Sequence, residues 1–209
     1  MDILRLVFLG IAQAFMLFGL CLADDDVVPD SATLVKFDFA QWCKAGNHKF
    51  VLESATLADV VRALGFGHIV DTSDPGNADP LWAVDYLNGE TVVQFEADGD
   101  MGGDEHRLTG VTVYQRSEYP KANRLPAMDS CITFVVGTVG IKFSDLEREL
   151  GRTPLSKKTA SYKYEGKTKV PGRKDVAGMA QMFDVSANLT VKVEAGRVVG
   201  LSVSHITTY

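Results

Sequence analysis

The chain has 209 residues, of which 46% are hydrophobic and 23% charged, and its formal net charge at pH 7 is −6. This length supports one substantial domain or two small ones. The overall acidity argues against a nucleic-acid-binding protein, because phosphates require a basic surface.

The first 23 residues have the pattern of a secretory signal peptide. An apolar stretch from Leu6 to Leu22 is interrupted only by Gln13, reaches a small side chain at Ala23 and is followed by three aspartates. These features predict cleavage after residue 23 and a periplasmic or secreted protein with no stable membrane insertion afterwards. A transmembrane anchor and lipid attachment at Cys21 are the alternatives, but the flanking residues favour neither.

The cysteine count agrees with export. Removing the leader removes Cys21 and leaves Cys43 and Cys131 as one pair. In an oxidising compartment the simplest interpretation is a disulfide between them. It would stabilise the fold by about 4 kcal/mol on the loop-entropy model. The alternative is two buried free thiols.

Two segments align without a gap at a spacing of 86 residues, and each predicts a short helix. They are Leu57–Gly65 and Phe143–Gly151, with Asp, Arg, Leu and Gly at the same positions in both. Their apolar residues recur at i, i+3 and i+7, which is one face of a helix. Thr56 is a suitable N-cap for the first helix, and each terminal glycine suits a left-handed helix end.

The alignment continues into segments with the alternation of β-strands. Residues 93–97 match 191–195, and residues 107–113 match 197–203. Period-two alternation predicts that one face of the resulting sheet is apolar; its members are Val93, Phe95, Val111, Val113, Val191, Val193, Leu201 and Val203. The sequence therefore predicts an α+β fold of two tandem repeats, each a short helical segment packed on an antiparallel sheet of three to four strands. After an N-terminal segment at 24–50, repeat 1 spans 51–118 and repeat 2 spans 119–209.

A helix that ends in Leu-Gly, followed by an aromatic strand and a hairpin, resembles a family pattern. The residues that carry it are Leu57–Gly65, Trp82–Tyr86 and Thr91–Ala97, with a weaker copy at Phe143–Gly151 and Met179–Val203. The pattern is similar to that of the SmpA/OmlA-type outer-membrane assembly lipoproteins and the secreted β-lactamase inhibitor proteins. The resemblance implies a helix-on-sheet repeat fold and protein binding, but it assigns no contact residue and no target.

Insertions distinguish the two copies, and their charges are opposite. Copy one gains an acidic hairpin whose carboxylates are Asp98, Asp100, Asp104 and Glu105. These are hard ligands suited to Ca²⁺, but the EF-hand spacing fails, so we expect solvated carboxylates and no metal. Copy two gains a basic loop at 152–174, with eight Lys or Arg and one acid. The residues of interest in this loop are Lys157, Lys158, Lys163, Arg173 and Lys174.

The charge of the whole chain divides in the same way. Residues 24–116 carry 17 acids and 6 bases, whereas residues 117–209 carry 9 acids and 14 bases. Attraction between the halves and simple solvation are both consistent with this division.

Catalytic patterns are missing from the sequence. It contains no G-x-S-x-G elbow, no His-Glu-x-x-His motif and no phosphate-binding loop. A Cys43–His48 thiol dyad is a weak alternative to the disulfide. We therefore expect neither an enzyme nor a cofactor.

The sequence favours an exported, non-enzymatic protein-binding factor of the inhibitor or immunity type. The acidic hairpin, together with Trp82 and Tyr86, is the predicted partner-binding surface, since loops and exposed aromatic residues commonly bind proteins. The alternative is a structural or assembly protein of the cell envelope, whose basic loop contacts anionic lipid or cell-wall polymer.

Overall fold

The structure of the protein, a computed structural model, describes residues 39–73, 81–99, 105–151, 153–174 and 180–208. The expected leader, residues 1–23, lies outside these ranges. Within them, no helix is long and apolar enough to cross a membrane. The elements in chain order are β1 (Trp42–Ala45), β2 (His48–Val51), α1 (Leu57–Leu64), β3 (Val70–Asp71), β4 (Leu81–Asn88), β5 (Thr91–Asp98), β6 (Gly110–Gln115), β7 (Ile132–Phe134), α2 (Phe143–Leu150), β8 (Ser156–Lys158), β9 (Ser161–Lys174), β10 (Ala180–Glu194) and β11 (Arg197–Thr208).

The strands form two antiparallel sheets, which confirms the predicted α+β class. The larger sheet has eight strands in the order β3-β4-β5-β6-β11-β10-β9-β8, and the smaller has the order β2-β1-β7. The large sheet has two halves, β3 to β6 and β8 to β11, and each half is a meander of sequential strands. The halves meet where β6 pairs with β11, so the centre of the sheet joins residues about 90 positions apart.

Both predicted helices are present, and local sequence explains where they begin and end. Thr56 caps α1 in a reciprocal capping box with Asp59, in which each side chain bonds the other residue's backbone N–H. Gly151 ends α2 in the left-handed conformation. Gly65 also has a positive φ, 87°, but its ψ of −117° lies outside the left-handed helical region.

One face of the large sheet, the inner face, forms the core with the helices and the small sheet. Leu57 and Val60 of α1 and Leu146 of α2 are fully buried against it. Phe50 of the small sheet meets Phe95 of β5 edge to face, with ring centroids 5.8 Å apart. The apolar face predicted by alternation is confirmed, with seven of its eight members buried and Val193 partly buried.

The predicted disulfide is absent: Cys43 and Cys131 are free thiols. Strand register gives the reason. Cys43 pairs with Phe134 across β1 and β7, whereas Cys131 lies opposite Gly46, three positions further along. This offset is about 10 Å along the strand. Because the offset is an odd number of positions, the two side chains also point to opposite faces of the sheet. A disulfide cannot form at this distance and orientation.

The two thiols should react at very different rates. Cys43 is fully buried, and burial raises the pKa of its thiol to about 12, whereas Cys131 is exposed. Because only the thiolate attacks, we expect a maleimide reagent to label Cys131 at least about a hundredfold faster in the native mature protein. Mass spectrometry after timed labelling measures both rates, and Cys131→Ser is the control. Equal labelling, or no free thiol in the denatured protein, would contradict the structure.

Candidate functional site

The outer face of the large sheet, turned away from the helices, carries the polar side chains of the same strands. Alternation requires this, since every residue between two inward-facing apolar positions points outward. The outer face includes Asp85 of β4, Gln94 and Glu96 of β5, Thr112 and Tyr114 of β6, Thr190 and Lys192 of β10 and Ser202 of β11.

The centre of the outer face lies on the β6–β11 pairing. Thr112 is opposite Ser202, and their hydroxyl oxygens are 2.9 Å apart, a hydrogen bond between the two halves of the sheet. Because these two side chains are short, the centre of the outer face forms a depression between the longer side chains of β5 and β10.

Two glycines give those longer side chains room. Gly110 of β6 lies opposite Glu96, and a Cβ at Gly110 would approach the Glu96 carboxylate to 3.0 Å. Gly200 of β11 lies opposite Lys192, where a Cβ would approach the Lys192 side chain to 3.3 Å. The sheet thus holds an acid over one glycine and a base over the other, on opposite sides of the Thr112–Ser202 bond.

The acidic side of the outer face is a carboxyl–tyrosine cluster formed by Asp85, Glu96, Tyr114 and Tyr119. The Tyr119 hydroxyl donates to Asp85 Oδ2, and the Tyr114 hydroxyl donates to Gln94 at 3.1 Å. The two tyrosine rings lie 6.1 Å apart. Asp85 Oδ1 is buried and accepts no hydrogen bond from the described residues.

Burial and mutual charge shift the protonation of this cluster. Burial, opposed by a hydrogen bond from Thr112 and assisted by the Asp85 charge, raises the pKa of Glu96 to about 7. The pKa of Tyr114 is raised by burial and by the carboxylates of Glu96 and Asp85. The pKa of Tyr119 is raised by burial and by its bond to Asp85. Glu96 therefore takes up and releases a proton near neutral pH.

The basic side of the outer face is formed by β10 and the β8–β9 hairpin. The Lys192 ammonium contacts Glu118, from the turn after β6, and lies 3.6 Å from Glu194. The bond to Glu118 raises the pKa of Lys192. The hairpin turns at Thr159, whose φ is 51°, and places Lys158 beside the same groove.

A groove of about 450 Å³ runs between these two sides. Its floor is Thr112, Thr190 and Ser202, and its walls include Tyr114 on one side and Lys158 and Lys192 on the other. Its dimensions suit one or two side chains of a partner, and its walls offer aromatic, acidic and basic contacts.

Only part of the predicted acidic hairpin lies in the described chain. Asp98 ends β5 and its N–H donates to the Thr109 hydroxyl at 2.9 Å. Glu105 pairs with Arg107 at 3.4 Å on the surface. Asp100 and Asp104 lie outside the described residues. Among the residues described, no three His, Cys, Asp or Glu are grouped so as to hold a metal ion.

The prediction that Tyr86 is an exposed anchor is wrong. Tyr86 is 1% exposed and packs edge to face on Phe95, with centroids 6.1 Å apart. It shares the inner face with Val84, two residues before it, so alternation fixes its direction. Trp82 is half-buried and packs against His106, with the ring centroids 4.5 Å apart and the ring planes tilted by 35°.

The prediction of a basic loop at 152–174 is also wrong, because most of this segment is strand. Lys157 and Lys158 lie in β8, Lys163 lies in β9, and β9 pairs with β10 over most of its length. The alternation of Tyr162 and Tyr164 with charged residues was the available signal, since Tyr164 is buried. Arg173 and Lys174 belong to β9 by backbone, and their side chains lie outside what the structure describes.

Sequence reasoning also missed the carboxyl–tyrosine cluster. In the sequence Glu96 stands out only as an aligned position, because Asp85 and Tyr114 come close to it only when β4, β5 and β6 pair.

Comparisons with family models, with curated proteins and with solved structures each find no match to this chain.

Proposed function

We propose that the protein is exported and acts as a non-enzymatic binding factor, of the inhibitor or immunity type, that holds a protein target on its outer face. The observation that carries this proposal is the groove, which brings Tyr114, Glu118 and two lysines, Lys158 and Lys192, together beside the carboxyl–tyrosine cluster. Export rests on the leader pattern at residues 1–23.

A folded protein is the ligand that best fits this surface. Tyrosines are favoured at protein interfaces because each offers a large rigid contact and a hydroxyl. The carboxyl–tyrosine cluster lies on one side of the groove, and Lys158 and Lys192 lie on the other with Glu118 beside Lys192. A partner with the complementary pattern therefore binds in one orientation. A nucleic acid would be repelled by Asp85 and Glu96.

We also propose that the large sheet arose by duplication, as the aligned segments suggest. Positions 110, 112 and 200, 202 are equivalent at a spacing of 90. Thr112 pairs with its own equivalent Ser202, and Val111–Val203 mirrors Val113–Leu201. A two-fold relation between the halves accounts for this register, and it places the opposite charges of Glu96 and Lys192 on equivalent glycines.

Filling the groove tests the binding surface. Thr190→Arg places a long side chain on the groove floor, where Thr190 is half-buried on a paired strand. We expect wild-type mature protein, used as bait on envelope and secreted fractions, to retain a specific partner. The variant should bind that partner at least about tenfold more weakly by calorimetry.

The matched control is Ser144→Arg, which makes the same charge change on an exposed position of α2. It should bind like wild type. A partner that is lost with Ser144→Arg but kept with Thr190→Arg would move the site to the helices. Equal binding by all three proteins would overturn the outer face as the binding surface.

A further inference from the structure

Strand β9 is much longer than the strand that covers its outer edge. β8 pairs only with Ser161–Lys163, whereas β10 pairs with β9 along the other side as far as Lys174. Within the described chain, no strand covers the outer edge from Tyr164 onward. An uncovered edge presents backbone donors and acceptors to which another extended chain can add.

The hydrogen bonding identifies which residues face that edge. The Leu155 N–H donates to the Lys163 carbonyl at 2.7 Å, so Lys163 turns its backbone polar groups outward. In an antiparallel strand this direction alternates, and the outward set continues with Glu165, Lys167 and Lys169. Pro171 is next in the set and has no N–H. The edge available for pairing therefore runs over residues 164–170.

The side chains beside this edge are mostly basic. Lys167 and Lys169 are 72% and 64% exposed, and Lys163 is exposed as well. The one acid in the outward set, Glu165, pairs with Lys167 at 2.6 Å, and Lys169 lies 3.3 Å from Asp184 of β10. Both pairs are on the surface, so an acidic segment can compete for these lysines. A strand that added here would lie with its alternate side chains about 5 Å from these lysines.

We propose that the outer edge of β9, residues 164–170, binds an extended acidic segment of a partner protein by β-strand addition. The backbone of the edge supplies the pairing, and Lys167 and Lys169 select acidic side chains at the two facing positions of the added segment. A second copy of this chain would bring its own Lys167 and Lys169 to the same edge, so net repulsion disfavours it. This surface is separate from the groove on the outer face and does not depend on it.

The test uses a fluorescent octapeptide of alternating Thr and Glu, measured by anisotropy against the mature protein. We expect it to bind, and an alternating Thr-Lys octapeptide to bind at least about tenfold more weakly. Lys167→Pro removes one outward N–H without touching the bonds to β10, and it should weaken the Thr-Glu peptide by at least about tenfold. Lys167→Ala removes the charge but keeps the N–H, and it should weaken binding by only about threefold.

Circular dichroism measures whether the Lys167→Pro variant is folded. If it is not, a Thr-Glu peptide N-methylated on alternate residues replaces it, since methylation removes the peptide's own pairing donors on one side. Loss of binding on methylation supports strand addition. No binding of the Thr-Glu peptide, or equal binding of the methylated and unmethylated forms, would overturn it.

Two further outcomes would overturn the acidic partner. One is a dimer in analytical ultracentrifugation that Lys167→Pro dissociates, because the edge would then be occupied by a second copy. The other is binding to vesicles containing phosphatidylglycerol without binding to the peptide, because the lysines would then serve a membrane surface.

Discussion

Replacing Phe95 with alanine is expected to lower the free energy of unfolding by about 3 to 5 kcal/mol. Phe95 is fully buried at the centre of the inner face. Its ring meets Phe50 from the small sheet and Tyr86 from β4, both edge to face. Truncation therefore removes one of the contacts between the two sheets and leaves a cavity that rigid strands cannot close.

Urea denaturation followed by circular dichroism measures this loss, and Phe66→Ala is its matched control. Phe66 is 82% exposed in the loop after α1, so the same chemical change there should alter stability by less than about 0.5 kcal/mol. Similar losses from the two substitutions would show that the inner face is not the core. An unchanged denaturant midpoint for Phe95→Ala would show the same.

Much of the inner side of the fold follows from local sequence. The α1 capping box and the left-handed glycine after α2 are short-range signals, and both helices begin and end within a residue of prediction. Alternation identified the inward residues of β5, β6, β10 and β11 because one face of each strand is apolar.

The wrong disulfide and the missed cluster share one physical cause, which is that strand register is set by distant residues. Cys43 and Cys131 are separated in space because β1 pairs with β7 in a register that no local pattern reveals. The basic segment forms a strand that pairs with β10, and the alternation of Tyr162 and Tyr164 with its charged residues was a local signal of that strand. The carboxyl–tyrosine cluster likewise needs three strands and a turn to meet.

The protonation of Glu96 gives the second large effect. Burial, with the neighbouring charge of Asp85, raises the pKa of Glu96 in the folded protein to about 7. An unfolded chain has the ordinary glutamate pKa of about 4.3. The native state therefore binds a proton that the unfolded state releases, and stability falls as pH rises between these two values.

Glu96→Gln should remove this loss, because glutamine fits the space over Gly110 without a charge. Near pH 4 the variant and wild type should have similar stability, whereas at pH 8 the variant should be more stable by on the order of 2 kcal/mol. Urea denaturation at intervals from pH 4 to 8 measures the difference. Glu90→Gln, on the exposed turn between β4 and β5, is the control and should follow wild type throughout. A stability difference for Glu96→Gln that does not change with pH would show that Glu96 is ionised at neutral pH and presents a full charge to a partner.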